Sequence, residues 1–408
     1  MSKPAPTSNE VMTTYFTRQP IFSSDYSVWG YELLFSTAQG HELDALVDMG
    51  PSDPDTRSTI TSLCEAGKMI CVDFRQNALS ALPPDKTIII VPDQKHSNDM
   101  EMVFTLLRRR GYKVAVEIDF YSSMQDSSAP LADYVLVNSE LLSLEQVEEI
   151  AGESDTIGAH VIARHIQDRF QLAETREAGC SLFQGPFFAI PENLDRREMT
   201  SHEASRFRLL QIIEHPSGDF DELAHTIQND AALSYRLLTY LNSAAFSFPD
   251  KINTIKQAVV LLGWKQLRRW LRIIVFTDLN PDVRTEELLI TALKRAKFFE
   301  TLARERPTGT EPDSLFLLGL FSMLESILEM PMQDIVGRLP LEQDLKDALL
   351  GRDTPNTIWL TLATAYELAS WDTIDATLSE LGIAPDAAAT AYTAALEWAD
   401  AFTRNAAG

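Results

Sequence analysis

Short apolar runs alternate with amphipathic segments along the first half of the chain. Eight runs have the β-branched and aromatic content of strands, and in order they read YFTRQPIF, VWGYELLF, MICVDF, TIIIVP, KVAVEIDF, YVLVN, HVIARHI and LFQGPFFAI. Helix-like patterns lie between several of them, and two of these patterns stop at a glycine suited to a left-handed cap, Gly111 and Gly179. Strands that alternate with helices predict a parallel sheet, and about eight of them predict a closed barrel.

The pattern changes after a charged, strand-poor stretch at 191–206, which we interpret as a linker. Beyond it, apolar residues recur with the spacing of helices almost to the end of the chain. The barrel would occupy roughly 180 residues, fewer than the ~250 typical of an eightfold barrel, so several of its helices must be shortened. We therefore predict a multidomain protein, α/β and then all-α, with a disordered start, a barrel, a helical domain and a tail at 1–11, 12–195, 196–395 and 396–408.

Charge and cysteine content narrow the function classes. The 408-residue chain carries 59 acidic and 35 basic residues, a formal net charge of -24, which repels nucleic acid phosphates and anionic membranes. We expect no direct nucleic acid binding and no membrane association. The three cysteines form no CxxC motif, the start has no apolar signal segment, and no apolar run reaches about 18 residues. These features predict a reduced, cytoplasmic protein.

Both halves resemble known bacterial signalling domains. The frame RQPIFSSDYSVWGYELLF, with ICVDF, GYKVAVEIDF, ADYVLVN, VIARHI and FQGPFFAIP, resembles the EAL domain family, whose members hydrolyse cyclic di-GMP in a two-metal barrel. The segments NDAALSYRLLTYLNSAAFS, INTIKQAVVLLGWKQLRRWL and DSLFLLGLFSML resemble the HDOD domain, a helical relative of the HD phosphohydrolases that lacks their metal site. The two resemblances imply a shortened TIM-like barrel of EAL type, degenerate in its site, followed by an HDOD helical domain.

Some positions of the EAL metal site keep a suitable side chain. By resemblance, Glu32 matches the glutamate that names the family, and Asp73 matches an asparagine ligand. The paired aspartates of the family fall on VEIDF, where either Glu117 or Asp119 supplies one carboxylate while Ile118 or another misfit takes the second place. A two-metal hydrolase requires several hard oxygen ligands of this kind. Glu32, Asp73 and Asp119 could still hold a single ion.

Other positions of that site have lost their chemistry. The resemblance places Ser36 where the family has a phosphate-binding arginine, and Ile90 where it has a metal-binding glutamate. Leu136 and Asn138 stand at a catalytic lysine and its neighbouring aspartate, and Gln167 stands at the final glutamate ligand. Losing one catalytic group of such a unit commonly costs orders of magnitude in rate. We therefore predict a pseudoenzyme without a cofactor or a functional metal site.

Nucleotide binding without turnover is an alternative interpretation. Gln184 and Gly185 match a Gln-Gly pair that lies near the guanine of the nucleotide in the family. Equally, Gly185 could serve a tight turn while the retained carboxylates are solvated or cap helices. The vestigial positions of the EAL site are Glu32, Asp73, Asp119, Gln167 and Gln184.

The helical half has no histidine beyond residue 225, so the segment that contains its core lacks the imidazoles of an HD-type metal site. The last of the seven histidines is His225, and Ser322 and Met323 occupy the places of the His-Asp pair. Methionine packs better than it binds a hard metal ion. We predict no metal hydrolase in this half, and we interpret His160 and His165, which flank a barrel strand, as surface or hydrogen-bonded residues.

A cationic stripe is the most distinctive positive feature of the helical half. Within GWKQLRRWLRIIVF, four cations share one helical face with the spacing i, i+3, i+4 and i+7, namely Lys265, Arg268, Arg269 and Arg272. In so acidic a chain, this face would attract an acidic partner or a phosphate group. The alternative is a solvated face whose charges are matched by neighbouring Asp and Glu side chains.

These observations predict a non-catalytic scaffold or regulator of bacterial signal transduction. The degenerate barrel would be an input or interaction module, and the HDOD helices would bind a signalling protein such as a kinase, a cyclase or a receptor component. The resemblance associates such proteins with motility, biofilm and stress signalling, and it is compatible with an oligomer. Two alternatives stay open: a cyclic di-GMP receptor that does not hydrolyse its ligand, and a weak cyclic di-GMP phosphodiesterase.

Overall fold

The computed structural model of the chain divides into two compact units. It describes residues 14–37, 54–73, 82–92, 98–118, 128–191, 198–215, 264–280, 283–305 and 311–407, with isolated positions between 223 and 257. The first unit holds the described residues up to 187 together with 361–394. The second holds those from 188 to 360 and from 395 onwards.

A closed barrel of eight strands forms the first unit, which confirms the predicted barrel. β1 runs antiparallel to β2 and to β8, whereas the other neighbouring strands pair in parallel. The strands are β1 (Thr14–Ser23), β2 (Val28–Thr37), β3 (Met69–Asp73), β4 (Thr87–Pro92), β5 (Lys113–Ile118), β6 (Tyr134–Asn138), β7 (His160–Arg164) and β8 (Leu182–Gln184).

The described helices between these strands carry clear start and stop signals. Ser143 begins α3 with a capping box to Gln146, and Gly158 ends that helix in the left-handed region at a φ of 74°. Gly111 and Gly179 also have positive φ, at 90° and 102°, as their positions after helix patterns predicted. The helices are α1 (Pro54–Glu65), α2 (Asn98–Arg109), α3 (Leu144–Ile157) and α4 (Arg169–Glu177).

The barrel interior is filled by apolar side chains, and the partly buried Trp29 of β2 packs against them. Its cluster of buried residues consists of Ile21, Cys71, Ile88, Ile90, Ala115, Tyr134, Leu136, Ile162 and Leu182. Because side chains along a strand alternate between its two faces, residues two positions away from these also face inward. The interior is therefore closed by packing, and chemistry is confined to the ends of the strands.

The second unit is helical in its described part, which confirms the predicted change from α/β to helices. Thr200 begins α5 with a capping box to Glu203. Helices α7 and α8 pack at very short range, because a Cβ on Gly319 would lie 2.4 Å from the backbone nitrogen of Ala296. The helices after the barrel are α5 (Ser201–Glu214), α6 (Trp264–Thr277), α7 (Glu286–Glu305), α8 (Pro312–Phe321), α9 (Leu324–Leu328), α10 (Met332–Arg338), α11 (Gln343–Leu349), α12 (Thr357–Glu367), α13 (Trp371–Leu381) and α14 (Pro385–Ala407).

Residues 361–394 group with the barrel, although the sequence analysis placed them in the helical domain. They comprise the end of α12, all of α13 and the start of α14. Their two buried tyrosines, Tyr366 and Tyr392, stack with ring centroids 4.3 Å apart. Among all the described helices, none is long and apolar enough to cross a membrane.

Candidate functional site

Polar side chains replace the apolar core at one end of the barrel, which we name the mouth. On five strands, an inward-facing polar residue lies two positions beyond a residue of the interior cluster. On β2, Glu32 also faces inward because it lies opposite Cys71 of β3. The residues placed at the mouth in this way are Glu32, Asp73, Glu117, Asn138, Arg164 and Gln184.

Arg164 is the centre of the polar cluster at the mouth. Its Nη2 donates to Oε2 of Glu32 at 3.1 Å and to Oε1 of the same carboxylate at 3.3 Å. Its Nη1 donates to the carboxylate of Glu117, and its Nε donates to Oε1 of Gln184 at 2.9 Å. One guanidinium therefore contacts two carboxylates and an amide, in the charge-assisted geometry that arginine favours.

Gln184 completes the hydrogen bonding of this cluster. Its Nε2 donates to Oε2 of Glu32 at 2.7 Å and to Oε1 of Gln19 at 3.2 Å. Gln184 and Glu32 are both buried, so each hydrogen bond satisfies a polar group that water does not reach. The cluster is a connected network of Gln19, Glu32, Glu117, Arg164 and Gln184.

Cys71 lies beneath the network, but burial keeps it chemically inert. Burial raises the pKa of the Cys71 thiol, and the nearby charge of Glu32 raises it further, while Arg164 lowers it to a smaller extent. The thiolate is the form that attacks substrates and binds metals. A thiol that stays protonated does neither.

The structure unites some of the predicted site positions and separates others. Glu32 and Gln184 contact each other, and Asp73 ends β3 at the mouth, where it is half-buried. Gln167 is exposed outside the network, with its Nε2 donating to Oε1 of Glu140 at 2.7 Å. Asp119 lies outside the described residues.

The positions that have lost family chemistry serve packing or local turns. Ile90 and Leu136 belong to the apolar interior cluster, and Ser36 is buried. Asn138 accepts the backbone N–H of Glu140 through Oδ1 at 3.1 Å, which is a local turn contact. Neither an ammonium nor a carboxylate is supplied by these residues.

The described residues do not fit a pair of divalent cations. Within the part of the chain that is described, no group of three or more His, Cys, Asp and Glu side chains is arranged to hold a metal ion. Glu32 and Glu117 are both contacted by Arg164, whose positive charge repels a cation at the same carboxylates. The arrangement holds an internal ion pair of Arg164 with Glu32 and Glu117.

Arg164 is, with Gln19, a network residue that the sequence analysis missed. The signal was the position of Arg164 in the strand HVIAR. Ile162 faces the interior, and because side chains alternate along a strand, Arg164, two residues later, must face inward as well. A cation at an inward position demands an anionic partner. That requirement could have paired it with Glu32 or Glu117.

The four cations of the predicted stripe do not form one exposed surface. Arg272 is buried and donates through Nη2 to Oε2 of Glu214 at 2.7 Å, and Arg268 approaches the same carboxylate at 3.6 Å. Arg269 donates to Oε2 of Glu300 at 2.5 Å. These three cations thus contact two carboxylates of the helical unit, Glu214 and Glu300.

Lys265 is the exposed member of the stripe. Its side chain is 89% exposed, and its Nζ lies 3.6 Å from a carboxylate oxygen of Asp313. An exposed pair of this kind is worth little in stability and exchanges readily with water or another partner. A docking role for the stripe stays a prediction, and it now centres on Lys265.

The remaining candidates of the helical half have structural contacts. Ser322 Oγ donates to the carbonyl of Gly319 at 2.7 Å and accepts from Nη1 of Arg295 at 3.0 Å. Met323 is buried in the core. In the barrel, His160 and His165 are exposed, in agreement with the interpretation from sequence.

Comparison with known proteins supports the assignment of both halves. The HDOD domain family matches residues 200–334. The chain is 29% identical to YuxH, an uncharacterized protein of Bacillus subtilis, over 95% of this chain and 98% of that protein. It is 26% identical to CdgJ of Vibrio cholerae, a cyclic di-GMP phosphodiesterase, over 92% of this chain and 90% of that protein.

A solved structure also matches, at lower identity. BlrP1 of Klebsiella pneumoniae, in complex with manganese and cyclic di-GMP, is 19% identical to this chain, with a TM-score of 0.35, over 44% of this chain and 56% of that one. The assignment itself depends on the sequence motifs, the closed barrel of the first half and the HDOD match that follows it. The order predicted from the sequence, an EAL-type barrel followed by an HDOD domain, is confirmed.

Proposed function

We propose that this chain is a non-catalytic regulator in cyclic di-GMP-related signalling. In this proposal, the barrel is an EAL module that has exchanged metal chemistry for an internal ion pair. The HDOD helices bind a protein partner of the signalling pathway. The similarity to CdgJ of Vibrio cholerae supports the connection to cyclic di-GMP.

The contact of Arg164 with Glu32 and Glu117 carries this proposal. Metal-dependent hydrolysis needs carboxylates that are free to bind cations. Here a guanidinium of the protein neutralises them, and a divalent ion could bind only after displacing it. Separating a largely buried ion pair leaves an uncompensated charge and costs about 3 to 5 kcal/mol.

The apolar side chains at former catalytic positions support the same proposal. Leu136 and Ile90 are buried in the interior cluster, at the places that the EAL resemblance gives to a lysine and a glutamate. A leucine cannot hold or transfer a proton, and an isoleucine cannot bind a cation. Even a metal ion at Glu32 would therefore lack the groups with which it acts in the family.

A cyclic di-GMP phosphodiesterase is the second candidate function, favoured by the likeness to CdgJ over nearly the whole chain. Glu32 and Asp73, both at the mouth, would then supply ligands after Arg164 has moved away. This candidate makes a distinct demand, because hydrolysis must depend on Glu32 and on an added divalent ion.

The test is an assay of the purified full chain with cyclic di-GMP and Mg²⁺ or Mn²⁺, in which linear dinucleotide is separated and quantified. We expect no product above a protein-free control, whereas an active EAL phosphodiesterase assayed in parallel converts the substrate. Product that forms with the intact chain and is lost in Glu32→Ala would establish the second candidate. Calorimetry with the nucleotide then separates a silent receptor, which shows saturable binding, from a module that binds only proteins.

A further inference from the structure

Strand β1 extends the inner wall of the barrel beyond the polar cluster. Gln19 lies opposite Glu32 of β2, and Thr17 lies opposite Leu34. At about 3.3 Å per residue, Thr17 is therefore about 7 Å further out along the mouth than Gln19. Ile21 belongs to the interior cluster, so Gln19 and Thr17 also face inward.

Both inward-facing residues of β1 contact the helices of residues 361–394. The hydroxyl groups of Thr17 and Tyr392 are hydrogen-bonded at 2.9 Å. Nε2 of Gln19 donates to the backbone carbonyl of Glu367 at 3.0 Å. All four residues belong to the same compact unit, so the contacts lie within one body.

The contacts bury Thr17 and two tyrosines, while Gln19 stays half-buried. Thr17 and Tyr366 are 0% exposed, and Tyr392 is 1% exposed. The rings of Tyr366 and Tyr392 lie nearly parallel, at 19°, with centroids 4.3 Å apart. Two stacked aromatic rings thus cover the inner wall at Thr17, on the outer side of Gln19 and Glu32.

The same helices are connected to the polar cluster through hydrogen bonds. Gln19 donates to the carbonyl of Glu367 and accepts from Nε2 of Gln184 at 3.2 Å. Gln184 in turn donates to Glu32. Movement of α12 would therefore alter the hydrogen bonds of the side chains that hold Glu32 and Arg164 in place.

We propose that residues 361–394 form an intramolecular lid on the β1–β2 side of the mouth. The lid is a segment of the chain itself, and it must move before a solute reaches Glu32 from that side. This inference concerns access alone and does not depend on whether the barrel binds or hydrolyses a nucleotide.

A thiol placed at the mouth reports on the lid. Ser36 is buried at the end of β2, on the same face as Glu32, and serine to cysteine changes little volume. The reporter is the full chain with Ser36→Cys, and Cys64→Ser removes the one natural thiol that is partly exposed. We expect a maleimide to label this cysteine more than about a hundredfold more slowly in the native chain than in urea.

Conservative substitutions then loosen the lid without removing bulk. In the reporter, Tyr392→Phe and Thr17→Val each remove one partner of the hydrogen bond and should speed labelling about fivefold. Because both substitutions break the same bond, the double variant should be labelled at about the same rate as either single variant. The matched control is Thr393→Val, since the Thr393 hydroxyl donates to Ala389 within its own helix at 3.1 Å.

Two results would overturn the lid. One is labelling of the native reporter at a rate within about tenfold of the urea-unfolded chain. The other is an equal effect of Tyr392→Phe and Thr393→Val. Circular dichroism and thermal melting confirm that each variant is folded. If Ser36→Cys is not folded, Leu34→Cys, half-buried and opposite Thr17, serves as the reporter for comparing Tyr392→Phe with Thr393→Val. Neither readout involves nucleotide, so a failed lid is distinguishable from a failed functional proposal.

Discussion

At the scale of single residues, Arg164 holds together carboxylates that would otherwise repel each other inside the barrel. Its side chain is 12% exposed, against 5% for Glu32 and 20% for Glu117. Charges at this depth are stable only when they are paired and hydrogen-bonded. The pairing thus has a structural consequence, whatever the barrel does in the cell.

Replacing Arg164 should therefore destabilise the protein strongly. Arg164→Met keeps much of the side-chain length but leaves Glu32 and Glu117 without their cation, and we expect a loss of about 3 to 5 kcal/mol in the free energy of unfolding. Urea denaturation at neutral pH measures this loss. Arg108→Met is the matched control, because Arg108 is 45% exposed and pairs with Asp133 at 3.2 Å.

The control should lose about 1 kcal/mol or less, as is usual for exposed ion pairs. Equal losses in Arg164→Met and Arg108→Met would show that the guanidinium at the mouth is solvated. In that case the pairing with Glu32 and Glu117 would not explain how the mouth is held.

At the scale of elements, the close contact of α7 with α8 depends on the glycine at position 319, which has no side chain. A Cβ on Gly319 would lie 2.4 Å from the backbone nitrogen of Ala296 and 2.6 Å from its Cα. Backbone atoms cannot move aside as a flexible side chain can. The two helices must separate if any larger residue takes this position.

We expect Gly319→Ala to lower the free energy of unfolding by about 1 to 3 kcal/mol, the usual range for overpacking. Gly337→Ala in α10 is the control, because a Cβ there meets nothing within 4 Å. That change should be neutral or stabilise the chain by up to about 1 kcal/mol, since alanine favours helices. Thermal melting of both variants measures the two changes in stability. A destabilised Gly337→Ala with an unaffected Gly319→Ala would contradict the close packing of α7 against α8.

Elements with a local signal could be predicted from the sequence, and those set by distant contacts could not. The strand runs and the helix stops at Gly111 and Gly179 follow from neighbouring residues, and they are confirmed. The matching of Arg269 to Glu300 joins residues on different helices, so the pattern of α6 alone could not distinguish an exposed stripe from an internal one. The grouping of 361–394 with the barrel likewise had no local signal.

At the scale of the whole molecule, the chain has a surplus of acidic residues, and several of its arginines pair with carboxylates inside the two units. The formal net charge is -24, yet Arg164, Arg206, Arg269 and Arg272 all pair with carboxylates within their own unit. Each such pair uses a carboxylate as well as a cation, so these pairs do not reduce the acidic surplus of the chain. That surplus is the physical ground for the prediction, made from the sequence, of no nucleic acid or anionic lipid partner.

The central claim is that a guanidinium stands where the family binds metal, and Mn²⁺ binding tests it most directly. Electron paramagnetic resonance of Mn²⁺ titrated into the full chain counts bound ions, and the same titration of Glu32→Gln removes one carboxylate charge at nearly constant shape. The account predicts identical binding curves for the two proteins. A Mn²⁺ site that is present in the intact chain and absent in Glu32→Gln would contradict it.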